Sequence, residues 1–156
     1  MPQSLTKMSA ITRRRLMEKG LYYLAIPYHG SEEQRAYRSE ISLKAAAEFL
    51  RQSIHVFAPV IYVNQIVEKL DLPSMEKRRV VTMPYLLDFL QASKGLILIK
   101  AEGWQNSWGV HQELIFCQEN QIPIYTMNPD QIYENLTEIL SYPLEQKQVN
   151  QLLEAA

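Results

Sequence analysis

Apolar positions along the chain come in two rhythms. Short branched runs recur at 21–27, 54–58, 95–99 and 122–125, and each reads as a strand buried on both faces. The stretches between them carry helical spacing. Ser31, with Gln34 three residues on, forms a capping-box pattern, and Tyr37, Ile41, Ala45 and Phe49 then recur every four residues to mark a buried helix face. Residues 59–81 show no clear pattern. A helical turn fits 66–70, Leu72-Pro73-Ser74 breaks it, and Glu76-Lys77-Arg78-Arg79 reads as a solvated charge cluster. An irregular stretch of that length is a candidate lid or wall of a site.

Thr82, with Pro84 near the first turn, predicts a helix on Leu86, Phe89 and Leu90 that ends about Ser93. Ser107 stands before another helix, Asn128-Pro129-Asp130 starts one on Ile132, Leu136, Ile139 and Leu140, and 144–156 reads as a last short helix. Strands separated by helical segments imply parallel crossovers. The expected architecture is a three-layer α/β/α domain, with a Rossmann/flavodoxin-like parallel sheet of four to five strands over residues 20–156. Residues 1–19 are polar and read as an arm or frayed helix, in which Arg13-Arg14-Arg15 is most simply solvated.

Composition narrows the function more than the fold. The chain has 156 residues, 47% hydrophobic and 21% charged, a size and balance that suit one soluble domain. A net charge of −1 provides no global field for nucleic acid or an anionic membrane. No apolar run approaches the roughly 18–20 residues that span a bilayer. The single cysteine, Cys117, falls among apolar helix positions and cannot form an internal disulfide, so a cytoplasmic protein with a buried thiol is the plain reading. The Walker-type G-x-x-x-x-G-K-[ST] loop is missing, as are G-x-G-x-x-G after the first strand and G-x-S-x-G. The three histidines show no metal-ligand spacing with each other or with Cys117, so no metal is expected.

The chemistry left to consider lies in 107–113, Ser-Trp-Gly-Val-His-Gln-Glu, at the carboxyl edge of the third strand, where open α/β sheets bind ligands. Ser107 can cap the helix, and Gly109 leaves bare backbone beside a ligand. Free amides and the helix dipole favour an anion there. Glu113, about one turn in, would be held ionised and could attack a sugar's anomeric carbon. By spacing alone, the same pattern is a capped helix with an early acid, which is the commoner case.

Together with Tyr23-Leu24-Ala25-Ile26-Pro27 on the first strand, this segment resembles the nucleoside 2-deoxyribosyltransferase superfamily, closest to an uncharacterised branch of it, over about 21–128. The resemblance implies a Rossmann-like fold and cleavage or transfer at an N-glycosidic bond. It implies Glu113 as nucleophile and Tyr23 as the tyrosine that orients it. Ser107 falls where transferases usually carry an acid and where the related nucleoside 5′-monophosphate N-glycosidases carry a phosphate-binding serine, which tilts the substrate toward a monophosphate. Members use no metal or organic cofactor and assemble as homo-oligomers whose subunits complete each other's sites. The chain departs from the pattern before the third strand. Where the family places an aspartate that helps protonate the leaving base, Tyr85 or Leu86 stands. Asp88 is the nearest acid, and a surface position is its plainer reading. Losing a general acid typically costs on the order of 10²–10⁴ in rate.

Pro27, Tyr28, His29 and Gly30 follow the first strand, and Tyr62 and Asn64 follow the second; all sit where a ligand's sugar, phosphate or base would lie, and all are equally plain loop residues. Trp104 and Trp108 could stack on a base or pack under their own loop. The expected partner is therefore a small-molecule nucleoside or nucleotide, with neither nucleic acid nor membrane. The alternative is a catalytically impaired nucleotide-binding or protein-interaction module of the same fold. A flavodoxin-type electron carrier is disfavoured, because Pro27-Tyr28-His29 lacks the hydroxyl-rich phosphate loop.

Overall fold

The computed structural model describes residues 20–156; the polar arm expected at 1–19 and its arginine triplet lie outside them. Four strands, β1 (Leu21–Ala25), β2 (His55–Phe57), β3 (Gly95–Ile99) and β4 (Ile124–Met127), form one parallel sheet in the order β2-β1-β3-β4. Helices cover both faces, so the fold is a three-layer α/β/α sandwich of the Rossmann-like kind. No helix among the described residues is long and apolar enough to cross a membrane.

Strand alternation builds two separate cores. Tyr23 and Ala25 of β1, with Leu96 and Leu98 of β3, pack against α2 (Pro59–Lys69), α3 (Met75–Gln91), α4 (Trp108–Glu119) and α6 (Gln146–Ala155). Leu24, Ile97 and Ile99 face the other way, onto α1 (Glu32–Arg51) and α5 (Leu136–Ile139). All four large side chains of β3 are fully buried, each contributing roughly 1.5–3 kcal/mol. Gly95 opens that strand because a Cβ there would meet the Tyr125 ring at 2.9 Å and the Pro123 carbonyl at 3.1 Å.

Helix α1 starts as its sequence implies, with both hydrogen bonds of the Ser31–Gln34 capping box in place. Its buried stripe is different: Arg38, Ser42, Ala45 and Phe49 face inward, Ile41 is half-buried and Tyr37 is exposed. Three successive steps of four drift by about 120° around a helix of 3.6 residues per turn, which carries Tyr37 away from Phe49.

The largest departure is at 59–81. This stretch is not irregular but forms all of α2 and the first half of α3. Ser74 caps α3 by accepting a hydrogen bond from the Lys77 amide at 3.2 Å, so the cap lies eight residues before Thr82 and Pro84 falls in the helix interior. The proline is tolerated because it and Val80, whose carbonyl loses its helical donor, are both exposed to solvent. The helix expected after Asn128 is likewise split, into a 3-10 turn (Pro129–Tyr133) and α5.

Candidate active site

A cavity of about 440 Å³ opens beyond the carboxyl end of β1, where Ala25 and Ile26 form part of its lining. Its walls come from α1, α2, α3 and the start of α4. The strand order places this cavity where β1 separates β2 from β3 and successive crossovers run to opposite sides, the position at which open parallel sheets leave a crevice.

Glu113 lines the cavity from α4. It belongs to the helix's buried stripe, with Val110, Leu114 and Cys117, and is only 6% exposed. An apolar residue would be at home there; a carboxylate is costly. Burial pushes its pKa from 4.5 up to about 8, and the facing Tyr23 phenol offsets this only in part. The expectation that the helix start holds Glu113 ionised is therefore corrected. Glu113 is the sixth residue of α4, beyond the first turn within which the dipole acts, and desolvation outweighs it. Burial, and next Glu113 itself, raise the Tyr23 phenol well above its usual range. The two groups influence each other, yet neither Tyr23 Oη nor Glu113 Oε2 closes a regular hydrogen bond.

Ser107 caps α4 by accepting from the Val110 amide at 3.3 Å, and its hydroxyl proton stays free to donate to a ligand. The Trp108 and Gly109 amides lie in the first turn and have no intrahelical acceptor. A Cβ built on Gly109 would lie 4.0 Å from Glu113 Oε1 and 4.0 Å from Met83 Cε, an ordinary contact in which the methyl would take up space beside the carboxylate.

Arginines provide the opposite charge. Arg35 of α1 and Arg78 and Arg79 of α3 line the cavity, and none of them forms a salt bridge among the described residues. Arg79 lies 4.7 Å above the Trp108 ring. Partial burial, reinforced by Arg79, Arg35, Arg78 and Arg38, lowers the pKa of His29 and keeps it neutral at neutral pH. Arg38 has a different task. Buried on α1, it donates to the His29 carbonyl at 2.6 Å and to the Glu102 carbonyl at 2.8 Å, joining the loops that follow β1 and β3.

Six buried side-chain polar atoms among the described residues lack a hydrogen-bond partner. Three of them, Arg79 Nε, Thr82 Oγ1 and Glu113 Oε2, belong to cavity-lining residues, and a fourth, Tyr23 Oη, faces Glu113. Native structures leave few such groups unsatisfied, so water or a polar ligand completes them at this cavity.

Of the residues singled out in the sequence, Tyr28, His29, Asn64, Ser107, Gly109 and Glu113 line this cavity. Tyr23 reaches it through Glu113. Pro27, Gly30, Tyr62 and Asp88 do not line it. Pro27 is buried. Gly30 instead makes room for the α1 cap, since a Cβ there would collide with Gln34 Oε1. Tyr62 lies on α2, off the face that Val63 and Asn64 turn to the cavity, and packs its ring against Phe57. Asp88 is exposed on α3. Trp104 is buried under its own loop, whereas Trp108 lies on the rim. Arg35, Arg78, Arg79, Glu32 and Glu68 are cavity residues that sequence reasoning passed over. The useful signal was Ser74 as a helix cap, which turns the 76–79 cluster into one helical turn with defined faces. Among the described residues, no group of three or more His, Cys, Asp or Glu side chains is placed to hold a metal ion.

No curated protein matches the chain significantly. Residues 20–129 match a family described as a domain of unknown function (DUF1937), a span that contains every residue of the cavity. By that match, which covers most of its length, the chain belongs to the DUF1937 family.

Proposed function

We propose that the protein cleaves the N-glycosidic bond of a nucleoside or nucleotide through a covalent intermediate on Glu113. The observation that carries this reading is a buried carboxyl that lines a cavity, leaves its Oε2 without a partner and faces a buried phenol. A Glu113 oxygen attacks the anomeric carbon as the bond to the base nitrogen breaks, and the base leaves with the electron pair and takes up a proton. Water, or a second base, then attacks the same carbon and releases the Glu113 carboxylate. Tyr23 orients the carboxyl. The positive charge developing on the sugar favours the ionised form of Glu113 at the moment it is needed. With Asp88 outside the cavity, the acids that line it besides Glu113 are Glu32 and Glu68.

The resemblance to nucleoside 2-deoxyribosyltransferases supports the same reaction class without a cofactor, and the lone buried thiol of Cys117 supports a cytoplasmic setting. The resemblance also supports a homo-oligomer, for which exposed Tyr62, Ile66, Val81 and Tyr85 on α2 and α3 provide apolar surface. A second reading, ligand binding without chemistry, draws on the absence of Asp88 from the cavity and on a carboxyl that is mostly protonated at neutral pH.

Incubation with deoxynucleosides and deoxynucleoside monophosphates, assayed for free base, separates the two. The glycosidase releases base, Glu113→Gln does not, and kcat/KM rises with pH toward about 8, where Glu113 of the free protein ionises. Wild-type and variant proteins that bind these compounds equally and release no base leave the binding reading.

A further inference from the structure

We propose that Arg35, Arg78 and Arg79 form a phosphate site, so that the ligand at Glu113 is a phosphorylated sugar derivative; the sugar half of this statement rests on the proposed glycosidase reading and the phosphate half does not. The three guanidinium groups come from two helices, α1 and α3, that meet at one cavity. None is neutralised by a carboxylate within the described residues, although Glu32 and Glu68 line the same cavity. Arginines without a carboxylate partner, gathered at one cavity, are suited to a divalent anion, because the planar fork matches phosphate oxygens two at a time.

Two further observations favour a ligand over a merely solvated charge cluster. Arg79 Nε is buried and has no acceptor, while the face of its guanidinium is fixed over Trp108. The neighbouring His29 has lost affinity for its proton, partly to these arginines, so a neutral imidazole remains on the rim and does not add to the charge. The three arginines, Trp108 and Glu113 line the same cavity, so one ligand that carries both a sugar and a phosphate would meet both kinds of group.

Arg35 and Arg78 are exposed, so Arg35→Gln and Arg78→Gln should preserve the fold, which circular dichroism and melting temperature verify. The test titrates 2-deoxyribose 5-phosphate, 2-deoxyribose and inorganic phosphate into wild-type and variant proteins. Wild type should bind the phosphate ester at least tenfold more tightly than the free sugar, with inorganic phosphate competing. Each Gln variant should weaken the ester roughly tenfold and leave the free sugar unchanged, while Arg79→Lys, which keeps the charge but loses the fork, falls in between. Similar affinity of wild type for both sugars, equal weakening of both by the variants, or no effect of the variants overturns the proposal. The two readings fail separately. Base release from unphosphorylated nucleosides as fast as from monophosphates overturns the phosphate site and keeps the glycosidase. Arginine-dependent binding of inorganic phosphate with no base release does the reverse.

Discussion

Replacing Glu113 by Gln should stabilise the protein at alkaline pH and leave it nearly unchanged at acid pH. Below about pH 4.5 the carboxyl is protonated in both the folded and unfolded chains, and the site adds no pH dependence. Between 4.5 and about 8 the unfolded chain releases its proton and the folded chain keeps it. The unfolded state then binds fewer protons, and stability falls by about 1.4 kcal/mol per pH unit. Above about 8 the folded chain also ionises and the loss levels off, at a total on the order of 4–5 kcal/mol. Glutamine has nearly the same shape and carries no titrating proton, so this component vanishes in the variant. Urea denaturation at pH 5, 6.5 and 8 should give two proteins of similar stability at the first pH and a gap of several kcal/mol at the last. A gap that does not widen with pH, or a variant less stable than wild type at pH 8, would refute burial as the dominant influence on Glu113. The same substitution should abolish base release, so stability and activity would move in opposite directions, as expected where function retains a group that packing disfavours.

Tyr23→Phe removes the one group that pulls the Glu113 pKa down. Its pH–rate profile should shift to higher pH, with the larger loss of kcat/KM at neutral pH and partial recovery above pH 8; a profile with unchanged midpoint counts against the pairing. Gly109→Ala should keep or slightly raise the melting temperature, since its Cβ meets nothing closer than 4.0 Å and alanine suits a helix by up to about 1 kcal/mol. Base release should nonetheless drop about tenfold, because the methyl occupies space beside Glu113. Arg38→Ala loses two charge-assisted hydrogen bonds worth roughly 1.5–3 kcal/mol each, so chemical denaturation should show a loss of at least about 3 kcal/mol. Arg38→Lys, which cannot span both carbonyls as the guanidinium does, should fall between wild type and alanine.

The sheet was legible because its strands are short apolar runs, buried on both faces, between helical stretches; β1, β3 and β4 lie within a few residues of where those runs predict. Ser31 and Ser107 were legible as caps for a local reason, the hydroxyl's reach to an amide three residues on. Arg38 and Tyr37 were not, since a guanidinium inside a helix stripe is accepted only when distant carbonyls take its protons, and those carbonyls come from two loops far apart in sequence. Pro84 misled because proline marks a helix start more often than a helix interior. Reading it as a start hid Ser74 and, with it, the wall that carries Arg78 and Arg79. The acidity of Glu113 escaped for a related reason: spacing reveals its nearness to the helix start, whereas its burial depends on β1 and α3 packing around it.

The unpaired polar atoms around the cavity make the protein its own ligand sensor. A compound that gives Arg79, Thr82, Tyr23 and Glu113 their missing partners binds only the folded chain and shifts unfolding by mass action. At a concentration 100 times its dissociation constant the shift is about 2.7 kcal/mol. For a domain of this size that corresponds to roughly 5–10 °C in melting temperature. Sugar phosphates, nucleosides and nucleotides can thus be ranked by heating alone, before any reaction has been observed.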